Sequence, residues 1–305
     1  MGLRTAVDDT TRLRRAPYTD PMERADIAVV GAGAAGLMAG IQAARAEPAR
    51  RVVLLDGARR LGAKILIAGG GRCNVTHEMV RETDYAGSTP PAIRKVLRQF
   101  GVEATRTFFA DLDVPLKREP TGKLFPTTNR ARTVLDALLG AAQDGGVDVR
   151  HPWRVERVVP IDSAFRLDAD DGRQLVARRV ILATGGRSVA QTGSDGHGYR
   201  IARALGHTLT PLLLPALVPL TLPDDHPLTR LRGLSAEVRL GIQSRGRKVA
   251  TCEGSLLLTH FGLSGPAVLD VSRHFLTALD ADAETTLTVD WLLATPSDEL
   301  DATLR

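Results

Sequence analysis

Asp26-Ile-Ala-Val-Val-Gly-Ala-Gly-Ala-Ala-Gly36 is the stretch of sequence from which the fold of this chain can be predicted. Its first five residues form a short apolar run, typical of a buried parallel strand, and a helical apolar pattern starts at Leu37. The glycines between them make the pattern G-x-G-x-x-G. Gly31 permits a tight turn, Gly33 lets a pyrophosphate approach the backbone, and Gly36 allows the helix to pack closely on the strand.

A second apolar run extends from Arg51 to Leu55 and ends at Asp56. In dinucleotide-binding folds an acid about 20 residues beyond the last glycine holds a ribose hydroxyl. The helix start after Gly33 would direct unpaired N–H groups and a partial positive charge at the pyrophosphate. Together these features predict a Rossmann-like dinucleotide-binding domain.

A second glycine-rich segment, Gly69-Gly-Gly-Arg-Cys-Asn74, follows an apolar lead-in at Ile65 to Ile67. Three consecutive glycines can press the backbone against a ligand, while Arg72 and Asn74 supply a charge and an amide. A flexible surface loop is the alternative interpretation, but the apolar lead-in favours a segment tucked into the fold. Cys73 is interpreted as a small packed residue in preference to a redox thiol.

The rest of the chain predicts two domains. We expect a disordered tail at 1–25, the dinucleotide domain at 26–190 and a mainly β domain at 191–305 that carries the start of a helical insert. The predicted helices cover 89–101, 127–144 and a segment ending at Gly206, with a further helix starting at Ser297. A hairpin is predicted at 115–126, and strands at 147–150, 153–161, 164–169, 174–186, 208–222, 236–242, 248–258 and 285–291.

Composition, charge and the positions of cysteine and histidine limit the partners, the compartment and the metal sites that this chain can have. The net charge is +5 with a pI near 9.6, which permits an anionic partner such as RNA, but few aromatic residues interleave with the arginines to stack on bases. No apolar run is long enough to cross a bilayer, so we expect no membrane partner. Two distant cysteines and the lack of a secretory signal indicate a reducing cytoplasm, and the histidine spacing predicts no metal site.

Several segments taken together carry a family resemblance: the GAGAAG turn, 64–74, Phe125-Pro126, Ala183-Thr-Gly-Gly186, Thr192-Gly-Ser-Asp195 and Thr259-His-Phe-Gly-Leu-Ser-Gly-Pro266. In these the chain resembles the bacterial HI0933-like flavoproteins, which are NAD(P)/FAD-dependent oxidoreductases sometimes called aminoacetone oxidase-like. That family includes a bile-acid-associated flavin reductase and members linked to uridine reduction in ribosomal RNA. The resemblance runs from Asp26 to the end of the chain.

The resemblance implies an α/β protein, with a three-layer Rossmann-like FAD-binding domain and a second, mainly β domain. FAD would be the fixed cofactor and NAD(P)H the transient reductant. The implied cofactor-binding residues are Gly31, Gly33, Ala34, Ala35, Gly36, Asp56, Gly57, Lys64, Gly70, Gly71, Arg72, Cys73, Asn74, Val155, Ala183, Thr184, Gly185 and Gly186. Asp56 stands where FAD enzymes usually carry Glu.

Family members continue well beyond the last residue here, so the resemblance implies a C-terminally truncated member. We expect a hydride transfer from NAD(P)H through FAD to a C=C bond or a related group of a small organic molecule. Three alternatives stay open: a flavin-dependent enzyme that reduces uridine in RNA, a plain NAD dehydrogenase, which would need no Gly69–Asn74 segment, and a truncated, non-catalytic flavoprotein. The sequence identifies neither catalytic residues nor an oligomeric state.

Overall fold

The structure, a computed structural model, describes residues 22–293 except 86 and 88. Its strands are β1 (Arg24–Val30), β2 (Val52–Leu55), β3 (Thr76–His77), β4 (Leu116–Arg118), β5 (Lys123–Pro126), β6 (Asp148–Arg150), β7 (Val155–Ile161), β8 (Ala164–Ala169), β9 (Gln174–Leu182), β10 (Leu220–Thr221), β11 (Ser235–Ser244), β12 (Arg247–Thr259), β13 (Gly262–Ser264) and β14 (Thr286–Asp290). Its α-helices are α1 (Ala34–Ala46), α2 (Ala63–Gly71), α3 (Pro90–Leu97), α4 (Val102–Ala110), α5 (Ala131–Asp144), α6 (His197–Ala204) and α7 (Pro266–Ala281). Short 3-10 helices cover Glu82–Asp84, Ala190–Thr192 and Pro227–Leu231.

The first part of the described chain is built on a six-stranded sheet in the order β6-β2-β1-β9-β8-β7. The first four strands run parallel, and β8 and β7 continue from β9 as an antiparallel meander. In the centre, Val29 pairs with Leu54 on one side and with Ile181 on the other. The carboxyl ends of β1, β2 and β9 therefore meet at one edge of the sheet.

Residues 28–30 of β1 are buried on both faces of the sheet, which explains the apolar run at 27–30. Val29 and Leu54 face α1 and α5, where Leu37, Ile41 and Leu135 complete one core. Their neighbours on the strands, which point to the opposite face, form a second core with the meander and α6: Ala28, Val30, Val53, Leu55, Trp153, Leu167, Leu175 and Ile201. The first domain is thus a layered α/β fold with a parallel sheet at its centre.

Two further sheets complete the described chain. A small antiparallel sheet has the order β3-β5-β4, and a five-stranded antiparallel sheet has the order β10-β13-β12-β11-β14. Helix α7 covers one face of the larger sheet, where Val238, Leu240 and Ile242 pack with Val268 and Val271. This sheet forms the second, mainly β part of the fold.

Most predicted elements are present. The hairpin through Pro120-Thr-Gly122 joins β4 to β5, and the strands predicted between 147 and 186 are β6 to β9. The strand predicted over 208–222 is wrong except at Leu220–Thr221, because that Pro- and Leu-rich segment is otherwise irregular. Strand β1 begins at Arg24, inside the predicted tail, while the helix predicted from Ser297 lies outside the described residues.

The sequence predicts none of the three helices α2, α4 and α7. Helix α2 covers the apolar lead-in and the glycines at 69–71. Helix α4 follows directly on Gly101, which the sequence marked only as the end of a helix. Helix α7 starts with Pro266 in its first turn and repeats buried residues at Val268, Val271 and Ala278. That spacing of three and seven is a helical signal, but only Pro266 belongs to the family motif, and no element is predicted from the sequence over 267–281. No helix among residues 22–293, as described, is both long and apolar enough to cross a membrane.

Candidate functional site

A cavity of about 1110 Å³ opens where β1, β2 and β9 end. The last residues of the three strands, Val30, Leu55 and Leu182, line it, together with parts of the two glycine-rich segments. In open parallel sheets, ligands bind outside the carboxyl ends of the strands. The position of this cavity therefore matches that of a nucleotide site.

The glycines at 31, 33 and 36 have two different structural roles. A Cβ on Gly31, which has φ +103°, would lie 2.5 Å from the carbonyl oxygen of Ala183, and a Cβ on Gly36 would lie 1.7 Å from that of Gly31. Both positions are closed to a side chain because the turn, the helix and β9 converge there. A Cβ on Gly33 would meet no atom within 4 Å, so the backbone there is open to the cavity.

The first turn of α1 presents free donors to this open space. Gly33 is the N-cap residue and has no side-chain cap, and the first intrahelical bond is the one that Leu37 N–H donates to Gly33 O at 2.9 Å. The N–H groups of Ala34, Ala35 and Gly36 therefore have no partner within the helix. Together with the helix dipole they make a site for an anion.

Asp56 connects the two loops that flank this helix start. Its Oδ2 accepts from Ala32 N–H at 2.6 Å and its Oδ1 accepts from Ala58 N–H at 2.8 Å. Each carboxylate oxygen has a second lone pair, so the side chain can still accept from a ligand. Asp56 thus both fixes the turn and faces the cavity.

The opposite wall is formed by the segment after β9. Lys64 Nζ donates to Ser188 O at 2.8 Å and to Ser194 Oγ at 2.7 Å, and burial lowers the pKa of Lys64. A Cβ on Gly185 would lie 2.5 Å from Ser194 Oγ, so the backbone at Gly185 is in close contact with the same serine. These contacts hold the 183–194 segment against α2.

Apolar side chains also line the cavity: Met38, Ile65, Val75, Phe109, Val134, Leu138 and Trp153. A polar region at the helix start and Asp56, next to an apolar region, is the arrangement that a dinucleotide with a planar ring system requires. Among the described residues, no group of three or more His, Cys, Asp or Glu side chains is placed to hold a metal ion.

Comparison with known proteins identifies the family. Residues 25–287 match the family described as HI0933-like protein Rossmann domain. The chain belongs to the HI0933-like family. This is a family of flavin-dependent oxidoreductases, and its layered α/β fold with an added antiparallel sheet agrees with the fold that the sequence predicts.

The HI0933-like chain is 36% identical to the 3-dehydro-bile acid delta(4,6)-reductase of Clostridium scindens, over 87% of this chain and 64% of that protein. It is 33% identical to the ribosomal RNA dihydrouridine synthase of Escherichia coli, over 83% of this chain and 62% of that protein. It thus spans less than two thirds of the length of these relatives. Among solved structures it resembles the 3-ketosteroid-delta4-(5alpha)-dehydrogenase of Rhodococcus jostii, at 20% identity and a TM-score of 0.47, over 72% of this chain and 61% of that one.

The structure brings most of the expected cofactor-binding residues of the HI0933-like chain to one cavity. The residues that line it are Gly31, Gly33, Ala34, Ala35, Asp56, Gly57, Lys64, Cys73, Asn74, Val155, Ala183, Thr184 and Gly185. Gly36, Gly70, Gly71, Arg72 and Gly186 are not part of the lining. The two glycine-rich segments therefore share a cavity, but only some of their residues face it.

The backbone of the Gly69-Gly-Gly-Arg-Cys-Asn74 segment determines which of its residues face the cavity. Helix α2 loses helical geometry at Ala68, Gly69 and Gly70, and the chain then turns so that Cys73 and Asn74 face the cavity. Arg72 turns away, since its guanidinium lies 4.1 Å from the ring centre of Phe125 and pairs with Glu119. Burial raises the pKa of the Cys73 thiol, which agrees with a packed residue at neutral pH.

The cavity lining includes Arg154, Asp195 and His197, which are not among the site residues expected from the sequence. Asp195 ends the Thr192-Gly-Ser-Asp195 segment of the family resemblance, and His197 follows at the start of α6. The sequence assigns neither residue a role in the site. Burial by itself would raise the pKa of Asp195, but hydrogen bonds from His197 N–H and from Arg154 outweigh it and lower that pKa. His197 is buried, with Nε2 3.0 Å from Glu156 O and Nδ1 2.5 Å from Arg200 Nη2. Because Arg200 can only donate, Nδ1 accepts and Nε2 carries the proton.

Proposed function

We propose that this chain is an FAD-dependent oxidoreductase that passes a hydride from NAD(P)H, through FAD, to a C=C bond or a related group of a small organic acceptor. One observation carries the proposal: a single cavity at the carboxyl ends of β1, β2 and β9 collects residues of both glycine-rich segments. Membership of the HI0933-like family supports the flavin, since an NAD-only dehydrogenase would need no second glycine-rich segment.

The residues of the cavity fit FAD. The open backbone at Gly33 and the free N–H groups of Ala34 and Ala35 would hold the diphosphate. Asp56 would accept from a ribose hydroxyl while it keeps its bonds to the two loops. The apolar lining would receive the ring system and keep water from it. Flavin supplies the hydride chemistry when it is bound, and the protein supplies position and electrostatics.

Two observations support the proposed class of acceptor: the name of one relative and the residues that line the cavity. The Clostridium scindens relative is named as a reductase of a 3-dehydro-bile acid, a molecule with a large apolar ring system. Met38, Val75 and Phe109 give one part of this cavity an apolar character that suits such a molecule. We therefore propose an apolar acceptor with a conjugated double bond, and a nicotinamide nucleotide as the reductant.

The direct test is the visible spectrum of the purified chain, before and after FAD is added and again after NADH or NADPH. Flavin absorbance that remains with the protein after gel filtration, and that NAD(P)H bleaches, is the expected result. Gly33→Glu should abolish retention, because the new carboxylate enters the open space at the helix start and repels the diphosphate.

Gly140→Glu is the matched control. Gly140 lies in α5, outside the cavity lining, and a Cβ there would also meet no atom within 4 Å. This variant should bind FAD as the unchanged protein does. The proposal fails if the unchanged protein stays colourless in excess FAD, or if both variants retain FAD equally.

RNA is a second candidate substrate. Two relatives, from Escherichia coli and Haemophilus influenzae, are named ribosomal RNA dihydrouridine synthase, and the net charge of +5 suits a polyanion. Binding of a ribosomal RNA fragment that weakens steeply between 50 and 200 mM salt, on the order of a thousandfold, would favour it. Salt-independent binding of an apolar acceptor would favour the small molecule.

A further inference from the structure

The side chain of Arg154 connects two walls of the cavity. A Cβ on Gly57 would lie 2.9 Å from the Cβ of Arg154, so the arginine starts in tight contact with the loop after β2. Its Nη2 ends 2.7 Å from Oδ2 of Asp195, at the start of α6. Gly57, Arg154 and Asp195 all line the cavity. The side chain therefore bridges two of its walls.

The side chain of Arg154 is accessible within the cavity. It is 37% exposed and lines the cavity, so its guanidinium is able to contact a molecule bound there.

The far end of the bridge is held firmly. Asp195 Oδ1 accepts from His197 N–H at 3.0 Å while Oδ2 accepts from Arg154. The backbone of Arg154 is also tied, because its carbonyl oxygen accepts from Asp170 N–H at 3.1 Å. With both ends fixed, the guanidinium loses little further conformational freedom when it contacts a ligand.

The neighbours of Arg154 identify which part of a dinucleotide it would meet. In Rossmann-like folds the acid at the end of the second strand marks the adenosine ribose. Here that acid is Asp56, and Gly57, the next residue, touches Arg154. The adenosine half would therefore lie beneath the bridge, with the diphosphate further along at Gly33.

We propose that Arg154, held by Asp195, closes over the adenosine half of FAD and packs its planar guanidinium on the adenine ring. This inference rests on the proposed function, since it requires that the cavity binds a dinucleotide. A guanidinium stacks well on an aromatic face, and its pairing with Asp195 orients the plane. Arg154 thereby selects for flavin nucleotides that carry an adenosine.

The test compares Arg154→Met with Arg157→Met in the full chain. Methionine keeps the Cβ and the stem that contact Gly57 but lacks the planar cation. Arg157 is a matched control: it lies on β7, is 71% exposed, pairs with Asp168 and does not line the cavity. FAD is titrated by fluorescence, and ADP, which carries the adenosine half alone, is used as a competitor.

Arg154→Met should raise the Kd for FAD by about three- to thirtyfold, which is the range expected for the loss of a cation–π contact. It should raise the Kd for ADP by the same factor. Arg157→Met should leave both unchanged. The inference is overturned if Arg154→Met binds FAD as tightly as the unchanged protein does. It is also overturned if the substitution weakens the binding of FAD but not that of ADP, or if ADP does not compete with FAD at all. An unchanged protein that binds no FAD would instead refute the proposed function itself.

Discussion

Replacement of Gly36 by alanine should destabilise this protein even though alanine is the better helix former. Gly36 lies in the first turn of α1, where Leu37 is fully buried and Ile41 almost so. A Cβ on Gly36 would stand 1.7 Å from the carbonyl oxygen of Gly31 and 2.8 Å from its carbonyl carbon. Neither atom can move freely, because the N–H of Gly31 is bonded to Leu55 O at 2.7 Å.

Two opposing effects decide the size of the change. Alanine in place of glycine inside a helix gains up to about 1 kcal/mol. A methyl group forced into a packed site typically costs about 1–3 kcal/mol, and more when the obstacle is backbone. Relief of a 1.7 Å contact requires α1 to shift by more than an ångström out of its core. We therefore expect a net loss of roughly 2 kcal/mol or more.

Urea unfolding followed by circular dichroism measures this loss, with Gly140→Ala as the control. Gly140 is helical and has no atom within 4 Å of a Cβ, so the same substitution there should be neutral or stabilising by up to about 1 kcal/mol. The two variants should thus shift the midpoint in opposite directions at an unchanged slope. A Gly36→Ala protein as stable as the unchanged one would refute the packing argument.

Three further predictions concern single side chains. Hydrogen bonds from Arg150 chiefly lower the pKa of Glu23 from 4.5 to about 2, so the stability that they contribute is complete above pH 4.5 and disappears as the pH falls towards 2. Glu23→Gln should therefore lower the Tm at pH 7 and make little difference near pH 2; an equal deficit at both pH values would contradict this. Asp56→Asn can accept only one of the two loop N–H groups, so it should cost about 1–3 kcal/mol in urea unfolding, and no loss would contradict the loop-bridging role. Cys73 lines the cavity and Cys252 does not, so bound FAD should slow the labelling of Cys73 by iodoacetamide and leave the labelling rate of Cys252 unchanged. If Cys73 is labelled at the same rate with and without FAD, it does not lie beside the flavin nucleotide.

Local chemistry made several parts of the fold predictable. The glycine pattern at 31–36 requires close approaches that only glycine allows, and the structure has them at Gly31 and Gly36. The hairpin at Pro120-Thr-Gly122 follows from turn chemistry, with Gly122 at φ +79°. The sequence does not predict helix α4, because Gly101 reads as the end of the preceding helix although it is also the N-cap of α4.

The sequence by itself determined the parallel-sheet class, the position of the glycine turn and the acid at the end of β2, because each depends on residues that are neighbours in the chain. Only the tertiary structure decided which residues share the cavity. Arg154 meets Asp195 across 41 residues and Lys64 meets Ser194 across 130, and no periodicity encodes such pairs. The tertiary structure also decides that, within the 69–74 segment, Cys73 faces the cavity while Arg72 packs on Phe125. The physical reason is that a parallel sheet gathers the ends of its strands at one edge, so the residues that meet there are set by strand order and packing and not by distance along the chain.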